Sequence, residues 1–337
     1  MTILVSRTDS IGDVVLTLPL VGAIKRYLPS SKVIFLGKSY TKAVIELCDD
    51  VDEFLNWDDL RDDLDSSCNI LQNKNITTAI LVFPDKKIAK LCKKAKIKYR
   101  IGTSHRIHNL LFCNRLVNLS RKNSKEHESV LNLKLLNKVS GLQNKISFDN
   151  ITELLNVSVK RSDYPKGYIS ENEDFKYVIL HPKSNGSARE WGLENFKTLI
   201  NLLDKTKFRI FVCGTESEGE LFRQYLFDNK IDNVYDLSGQ LSLEEYISLI
   251  NDSDFLIAAS TGPLHIAAIL NKHAIGLFPP IRPMNPGRWR PIGKNVKIFC
   301  KEKSCNICRK DTNCECVKSI PPKDVADYII STCKPNS

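Results

Sequence analysis

Three short stretches hold the residue types from which a phosphate-handling transfer site can be made. The first, Arg7-Thr-Asp-Ser-Ile-Gly-Asp13, leaves an apolar run and opens a helical one, which puts Asp13 in a first helical turn. A carboxylate there has two uses. It complements the helix dipole, worth about 0.3–1 kcal/mol, or it takes a proton from a hydroxyl as a general base. The second stretch, His181-Pro-Lys-Ser-Asn-Gly-Ser-Ala-Arg-Glu-Trp191, joins small polar residues such as Ser184 to Arg189, whose guanidinium fork fits two phosphate oxygens. Its bland reading is a solvated loop, and Trp191 is expected to staple the next helix to a sheet in either case. The third, Ser260-Thr-Gly-Pro-Leu-His265, opens another helix. Exposed amides and the positive dipole end favour an anion there, Gly262 leaves room for a diphosphate, and Pro263 at the first helical position forfeits no hydrogen bond. His265, one turn in, suits either a structural role or a phosphate contact.

What must position these stretches is a set of alternating β-rich and helix-period segments. In the first half the pattern predicts strands at Thr2–Ser6, Lys32–Leu36, Val51–Asn56 and Thr77–Phe83, with a helix from Gly12 to Leu28 and a polar helical stretch over Asp58–Gln72. The second half repeats the rhythm, with strands at Tyr177–Leu180, Arg209–Cys213, Val234–Leu237, Phe255–Ala259 and Ala274–Phe278. Helices are expected near Glu194–Leu203, Glu218–Asp228, Leu243–Asn251 and Leu264–Leu270, and Ser242-Leu-Glu-Glu245 reads as a capping box. Strands separated by helices of this length imply parallel α/β sheets. Between the halves, Asn156–Lys176 is polar and aperiodic. The expected organisation is a first domain over 1–160, a linker over 161–176, a second domain over 177–320 and a C-terminal helix and tail over 321–337, two doubly wound domains with a cleft between them. In such sheets ligands bind beyond the carboxyl ends of the strands, where all three stretches fall.

Composition narrows the class. With 42% hydrophobic and 26% charged residues, 15 Gly and 14 Pro among 337, the chain is unlike disordered or collagenous sequences. No run reaches the roughly 18 apolar residues of a spanning helix, and Asp9 and Asp13 interrupt what would otherwise resemble a signal-peptide core, so a cytosolic chain beginning at Met1 is expected. Seven of the eleven cysteines (Cys48, Cys68, Cys92, Cys113, Cys213, Cys300, Cys333) are dispersed and read as buried thiols.

Together the three stretches resemble glycosyltransferase family 9, which contains the lipopolysaccharide heptosyltransferases. The resemblance rests on Arg7-x4-Gly12-Asp13 followed by Val-Val-Leu-Thr-Leu-Pro, on His181-Pro, Arg189-Glu-Trp191 and Glu194-Asn-Phe196, and on Ser260-Thr-Gly-Pro-Leu-His265. It implies the GT-B architecture of two Rossmann-like domains and an inverting, metal-independent transfer of a sugar from a nucleotide diphosphate. It also implies that Asp13 is the base, that Ser184, Arg189, Ser260, Thr261, Gly262 and His265 hold the donor, and that Glu218 lies near the acidic donor contact, with Glu216 its rival. Three positions depart from the family pattern: Arg189 where Lys is common, Gly192 where Pro is usual, and Ser260 where Asp is frequent.

The net charge of +10 is concentrated in the first half, and residues 86–125 contain 13 Lys and Arg with no Asp or Glu. Without a nucleic-acid-binding signature, this stretch fits an anionic membrane surface or acceptor better than nucleic acid, with Lys93, Lys94, Lys96 and Arg100 as the expected contacts; a solvated helix face is the bland alternative. Cys305, Cys308, Cys314 and Cys316 are dense enough to raise zinc, but their spacing departs from paired CxxC sites, so reduced thiols or a facultative disulfide are expected and no metal or other cofactor. The resulting expectation is a cytoplasmic enzyme at the inner face of the membrane. It would move a heptose or related sugar, with ADP-heptose the expected donor, to a lipopolysaccharide core or lipid A acceptor. A nucleotide-sugar epimerase of the same fold, and a non-catalytic zinc- and polyanion-binding protein, are the rivals.

Overall fold

The apolar runs Ile3–Val5, Val33–Leu36 and Val178–Leu180 are wholly buried, as strands covered by helices on both faces must be. The computed structural model describes residues 1–121, 125–143, 150–160, 169, 175–227, 232–282, 284–301, 305 and 315–333. It divides into two units, Met1–Ser158 and Val159–Ser337.

The first unit is a six-stranded parallel sheet of β1 (Thr2–Ser6), β2 (Lys32–Gly37), β3 (Glu53–Asn56), β4 (Thr78–Leu81), β5 (Tyr99–Thr103) and β6 (Arg115–Val117), in the spatial order β3-β2-β1-β4-β5-β6. Its helices are α1 (Ile11–Val15), α2 (Leu18–Tyr27), α3 (Lys42–Ile45), α4 (Trp57–Leu60), α5 (Leu64–Asn73), α6 (Lys86–Lys94), α7 (Ile107–Phe112) and α8 (Glu128–Leu133). The single helix expected over Gly12–Leu28 is two. Pro19 has no N–H to continue the ladder, and the break is sealed from outside: the Leu16 carbonyl accepts from Ser129 Oγ at 2.8 Å and Asn132 Nδ2 at 3.0 Å. Thr17 Oγ1 also donates to the Asp13 carbonyl at 2.8 Å. The polar stretch Asp58–Gln72 likewise splits, because Asp63 caps α5 by accepting from the amides of Asp65 and Ser66.

The second unit is built from β7 (Lys176–His181), β8 (Phe208–Val212), β9 (Val234–Asp236), β10 (Phe255–Ala259), β11 (His273–Phe278) and β12 (Val296–Cys300), ordered β12-β11-β10-β7-β8-β9 and again all parallel. Its helices are α9 (Leu193–Leu202), α10 (Glu216–Leu226), α11 (Leu243–Asp252), α12 (Gly262–Ile269), α13 (Pro286–Trp289), α14 (Glu315–Lys318) and α15 (Pro322–Thr332). The capping box at Ser242 forms, Ser242 N–H donating to Glu245 Oε2 at 2.7 Å and Glu245 N–H to Ser242 Oγ at 3.2 Å. Trp191 is the staple expected: its Nε1 donates to the Ile320 carbonyl at 2.9 Å and its ring meets Phe196 edge-on. The C-terminal helix α15 is no separate appendage, since Val325, Ala326 and Ile329 share one core with Trp191, Phe196 and Phe222.

Each unit repeats the same strand order in its own chain direction, with the order reversing beside its first strand. That point is between β1 and β4 in one sheet and between β7 and β10 in the other. Of the seven dispersed cysteines, Cys48, Cys68, Cys92, Cys113 and Cys213 are buried, while Cys300 and Cys333 are only half-buried because they lie on an edge strand and at the end of α15. Among the described residues no helix is long and apolar enough to cross a membrane.

Candidate active site

Asp13 sits one turn into α1, directly beyond the carboxyl end of β1 at the point where the first sheet's order reverses. Arg7, 2% exposed, organises the loop. Its Nε donates to Asp9 Oδ1 at 2.6 Å, one terminal nitrogen bonds Asp13 Oδ1, and the other reaches Glu128 Oε1 at 3.1 Å. Ser10 Oγ bonds the second Asp13 oxygen, so both oxygens of that carboxylate are fixed in direction. Glu128 is fully buried on α8 and is shared with Arg121, whose Nε lies at 2.7 Å and whose Nη2 bonds Asn132 Oδ1 at 2.8 Å. The result is a partly desolvated network of two guanidinium groups and three carboxylates. Burial pushes the Asp9 carboxyl up to about 6 against the opposing pull of Arg7, with Asp13 adding repulsion. The sequence motif contained Arg7, but nothing in it assigned Arg7 a role, and neither Glu128 nor Arg121 carried a local signal, because the network closes over 121 residues of chain.

In the second unit the loops after β7 and β10 flank the reversal of strand order. Ser184 is buried and turned into its own loop: its amide donates to Glu190 Oε1 at 3.0 Å and its hydroxyl lies 3.1 Å from both Glu190 Oε1 and the Ala188 carbonyl. Lys183 Nζ takes the other Glu190 oxygen at 2.5 Å, so Glu190 is the hub of this loop and was missed in the sequence. Asn185 and Gly186 turn the chain through positive φ, and no atom lies within 4 Å of where a Gly186 Cβ would be. Arg189 is half-buried on the same loop. His181 is buried beneath it with Nδ1 3.3 Å from Tyr246 Oη; burial pulls its pKa below the usual value against the fields of Glu218 and Glu190.

At the other loop, Thr261 is the N-cap of α12 yet its hydroxyl makes no capping bond. Thr261 Oγ1 is buried and has no hydrogen-bond partner among the described residues. Such a group costs roughly 1–3 kcal/mol unless a ligand satisfies it. Gly262 starts the helix, Pro263 spends no donor, and His265 lies buried one turn further. Glu218 also has a structural duty: Thr215 and Glu218 form a second capping box at the head of α10, Glu218 Oε2 accepting from Thr215 N–H at 2.8 Å and from its hydroxyl at 3.0 Å. Its rival Glu216 is ion-paired with Arg223 at 3.1 Å.

Residues 69–318 match the family described as Glycosyltransferase family 9 (heptosyltransferase), well over half of the chain. The chain belongs to glycosyltransferase family 9. That match begins downstream of Asp13, but similarity to single relatives runs further. A Haemophilus influenzae protein named as a provisional glycosyltransferase is 27% identical over 322 residues, covering 90% of this chain and 92% of the relative. Lipooligosaccharide heptosyltransferase 2 of Campylobacter jejuni is 22% identical over 98% of both chains. The solved structure of the E. coli ADP-heptose lipopolysaccharide heptosyltransferase II shares the fold with a TM-score of 0.78 at 15% identity, covering 98% of each chain. The two Rossmann-like sheets are therefore those of a GT-B glycosyltransferase, and family membership sets glycosyl transfer above epimerisation and above a non-catalytic module.

Of the four basic residues expected at an acceptor or membrane surface of this family 9 enzyme, Lys93, Lys94 and Lys96 are exposed, and the first two also make a local contact. Arg100 is half-buried and spends its guanidinium on the carbonyls of Phe112, at 2.7 Å, and Ile97. Lys93 donates to the Leu111 carbonyl at 3.1 Å and Lys94 pairs with Asp65. Lys96 stands at the turn ending α6 with φ of 55°. Sequence could count these charges but not see the carbonyls that β5, α6 and α7 bring beside them. Among the described residues no group of three or more His, Cys, Asp or Glu side chains is arranged to hold a metal. Cys305 and Cys316 pack, with Met284, against Ile281, while Cys308 and Cys314 lie outside the described residues.

Proposed function

We propose that the protein moves a heptose from ADP-heptose to the core of an anionic, lipid-linked saccharide of the lipopolysaccharide type at the cytoplasmic surface of the membrane. Asp13 takes the proton of the acceptor hydroxyl, the hydroxyl oxygen attacks the anomeric carbon, and the bond from that carbon to the diphosphate breaks with its electron pair leaving on the nucleotide. Attack opposite the leaving group inverts the anomeric centre. Arg189, the amides at the head of α12 and the Thr261 hydroxyl take up charge on the departing diphosphate, with Ser184, Ser260, Gly262 and His265 lining the same donor subsite and Glu218 at its edge. The observation that carries the reading is the buried, unpartnered Thr261 hydroxyl at a helix N-terminus whose first residues are Gly262 and Pro263. The donor is named from the E. coli relative.

Calorimetry and a transfer assay test it together. Thr261→Val keeps the shape and removes the hydroxyl, so ADP affinity should fall by about 3- to 10-fold, the worth of one ordinary hydrogen bond. The unaltered protein should add one heptose to a heptose-free core acceptor, read by mass spectrometry. Turnover of another nucleotide sugar in place of ADP-heptose, or unchanged ADP affinity in the variant, overturns it.

A further inference from the structure

We propose that α6 and α7 together form a docking face for an anionic lipid bilayer, α7 entering the headgroup boundary with Ile107, Leu110 and Leu111 while the α6 lysines lie on lipid phosphates. The proposal extends the reading of a lipid-linked acceptor. Its observations are independent of the donor site. Ile107 is 80% exposed, Leu110 53% and Leu111 62%, three apolar side chains on one helix. They are outside because the inward side of α7 is already filled. Asn109 is fully buried with Nδ2 on the Thr103 carbonyl at 3.0 Å, Cys113 is buried, and β5 approaches so closely that a Cβ on Gly102 would lie 2.8 Å from Asn109 Nδ2.

The partner's chemistry follows from what lies alongside. His108 Nε2 meets the Pro84 carbonyl at 3.1 Å near the start of α6, and Lys93 Nζ meets the Leu111 carbonyl and the Phe112 ring near its end, so the two helices run side by side. Lys86, Lys87, Lys90, Lys93 and Lys94 recur at helical spacing on the exposed side of α6, while Ile88, Ala89, Leu91 and Cys92 are buried. Of the acids nearby, Asp85 caps α6, Asp63 caps α5 and Asp65 pairs with Lys94. An apolar ridge beside a cationic one matches the acyl boundary and phosphates of an anionic leaflet, whereas a protein partner would not require the charges to be single-signed over 86–125. The face also adjoins the catalytic edge: half-exposed Phe83 precedes α6, and the amides of Val82 and Phe83 donate to the Ser6 carbonyl, next to Arg7.

The full chain is tested by co-sedimentation with vesicles of phosphatidylethanolamine and phosphatidylglycerol, and with phosphatidylcholine alone. Binding should require the anionic lipid and weaken with salt. Leu110→Ser with Leu111→Ser should lower partition at least tenfold, and Lys87→Gln with Lys90→Gln should lower it by on the order of fivefold per lysine. Because Ile107 is so exposed, Ile107→Trp folds as before, and its emission should move to the blue and be quenched by brominated lipid. Insertion is refuted if the lysine variant alone loses binding or if Ile107→Trp is not quenched. A dimer that the Leu110/Leu111 variant dissociates assigns the face to a second copy and overturns the proposal. Transfer to a soluble, delipidated core acceptor should survive in every variant. Vesicle binding with no such transfer sinks the functional reading alone, and transfer with no vesicle binding sinks this one alone.

Discussion

Asp13 is held at both oxygens, by Arg7 and Ser10, which fixes where a proton can be accepted. Asp13→Asn preserves size and loop while removing the acceptor, so turnover should fall by roughly 10²–10⁴ with ADP affinity little changed; equal activity in the variant would remove Asp13 from the mechanism. Its neighbour Asp9 governs a different observable. Burial raises the Asp9 carboxyl to about 6, so between its ordinary value near 4 and about 6 the folded chain holds a proton that the unfolded chain has released. The contribution to stability is complete below about pH 4 and is lost as pH rises through about 6. The melting temperature of the unaltered protein should therefore decline across that window relative to Asp9→Asn, and parallel curves for the two proteins would show that Asp9 is not the titrating group.

Caps decide where helices begin, and one cap holds Glu218, proposed above at the edge of the donor subsite. Ser242→Ala removes the capping box at the head of α11 and should cost about 0.5–2 kcal/mol in denaturant unfolding with ADP affinity intact. Glu218 is the discriminating case. Glutamine also completes a capping box, so Glu218→Gln should leave stability within about 0.5 kcal/mol of the unaltered protein. A fall in ADP affinity on that background marks a donor contact; no fall leaves Glu218 as the second half of the Thr215 cap.

Over the whole molecule, two units with separate cores predict that damage stays local. Gly22 on α2 faces the Leu154 carbonyl, and a Cβ there would lie 1.8 Å from its oxygen; Gly293 faces the Ala268 carbonyl, with a Cβ 2.3 Å away. Both obstacles are backbone, so each Gly→Ala change should cost about 1–3 kcal/mol. Amide exchange should quicken within Met1–Ser158 for Gly22→Ala and within Val159–Ser337 for Gly293→Ala. Acceleration across both units in either variant would show that they unfold as one.

The class of fold and the positions of the three loops are legible in the chain's local pattern. Continuous apolar strands, helices between them and residues such as Gly262 and Pro263 act over a few neighbours, and local physics is legible locally. β5 and β6 escaped that reading because they lie within the basic stretch, β12 because this edge strand is nowhere fully buried, and the break after Leu16 because part of its seal comes from Ser129 and Asn132. That Arg7 clamps Asp9, Asp13 and Glu128, that Arg100 bonds the Phe112 and Ile97 carbonyls, and that the loops after β1, β7 and β10 stand where strand order reverses emerge only once the chain is folded. Those facts join residues far apart in the chain through hydrogen-bond geometry and desolvation, which no window of sequence contains.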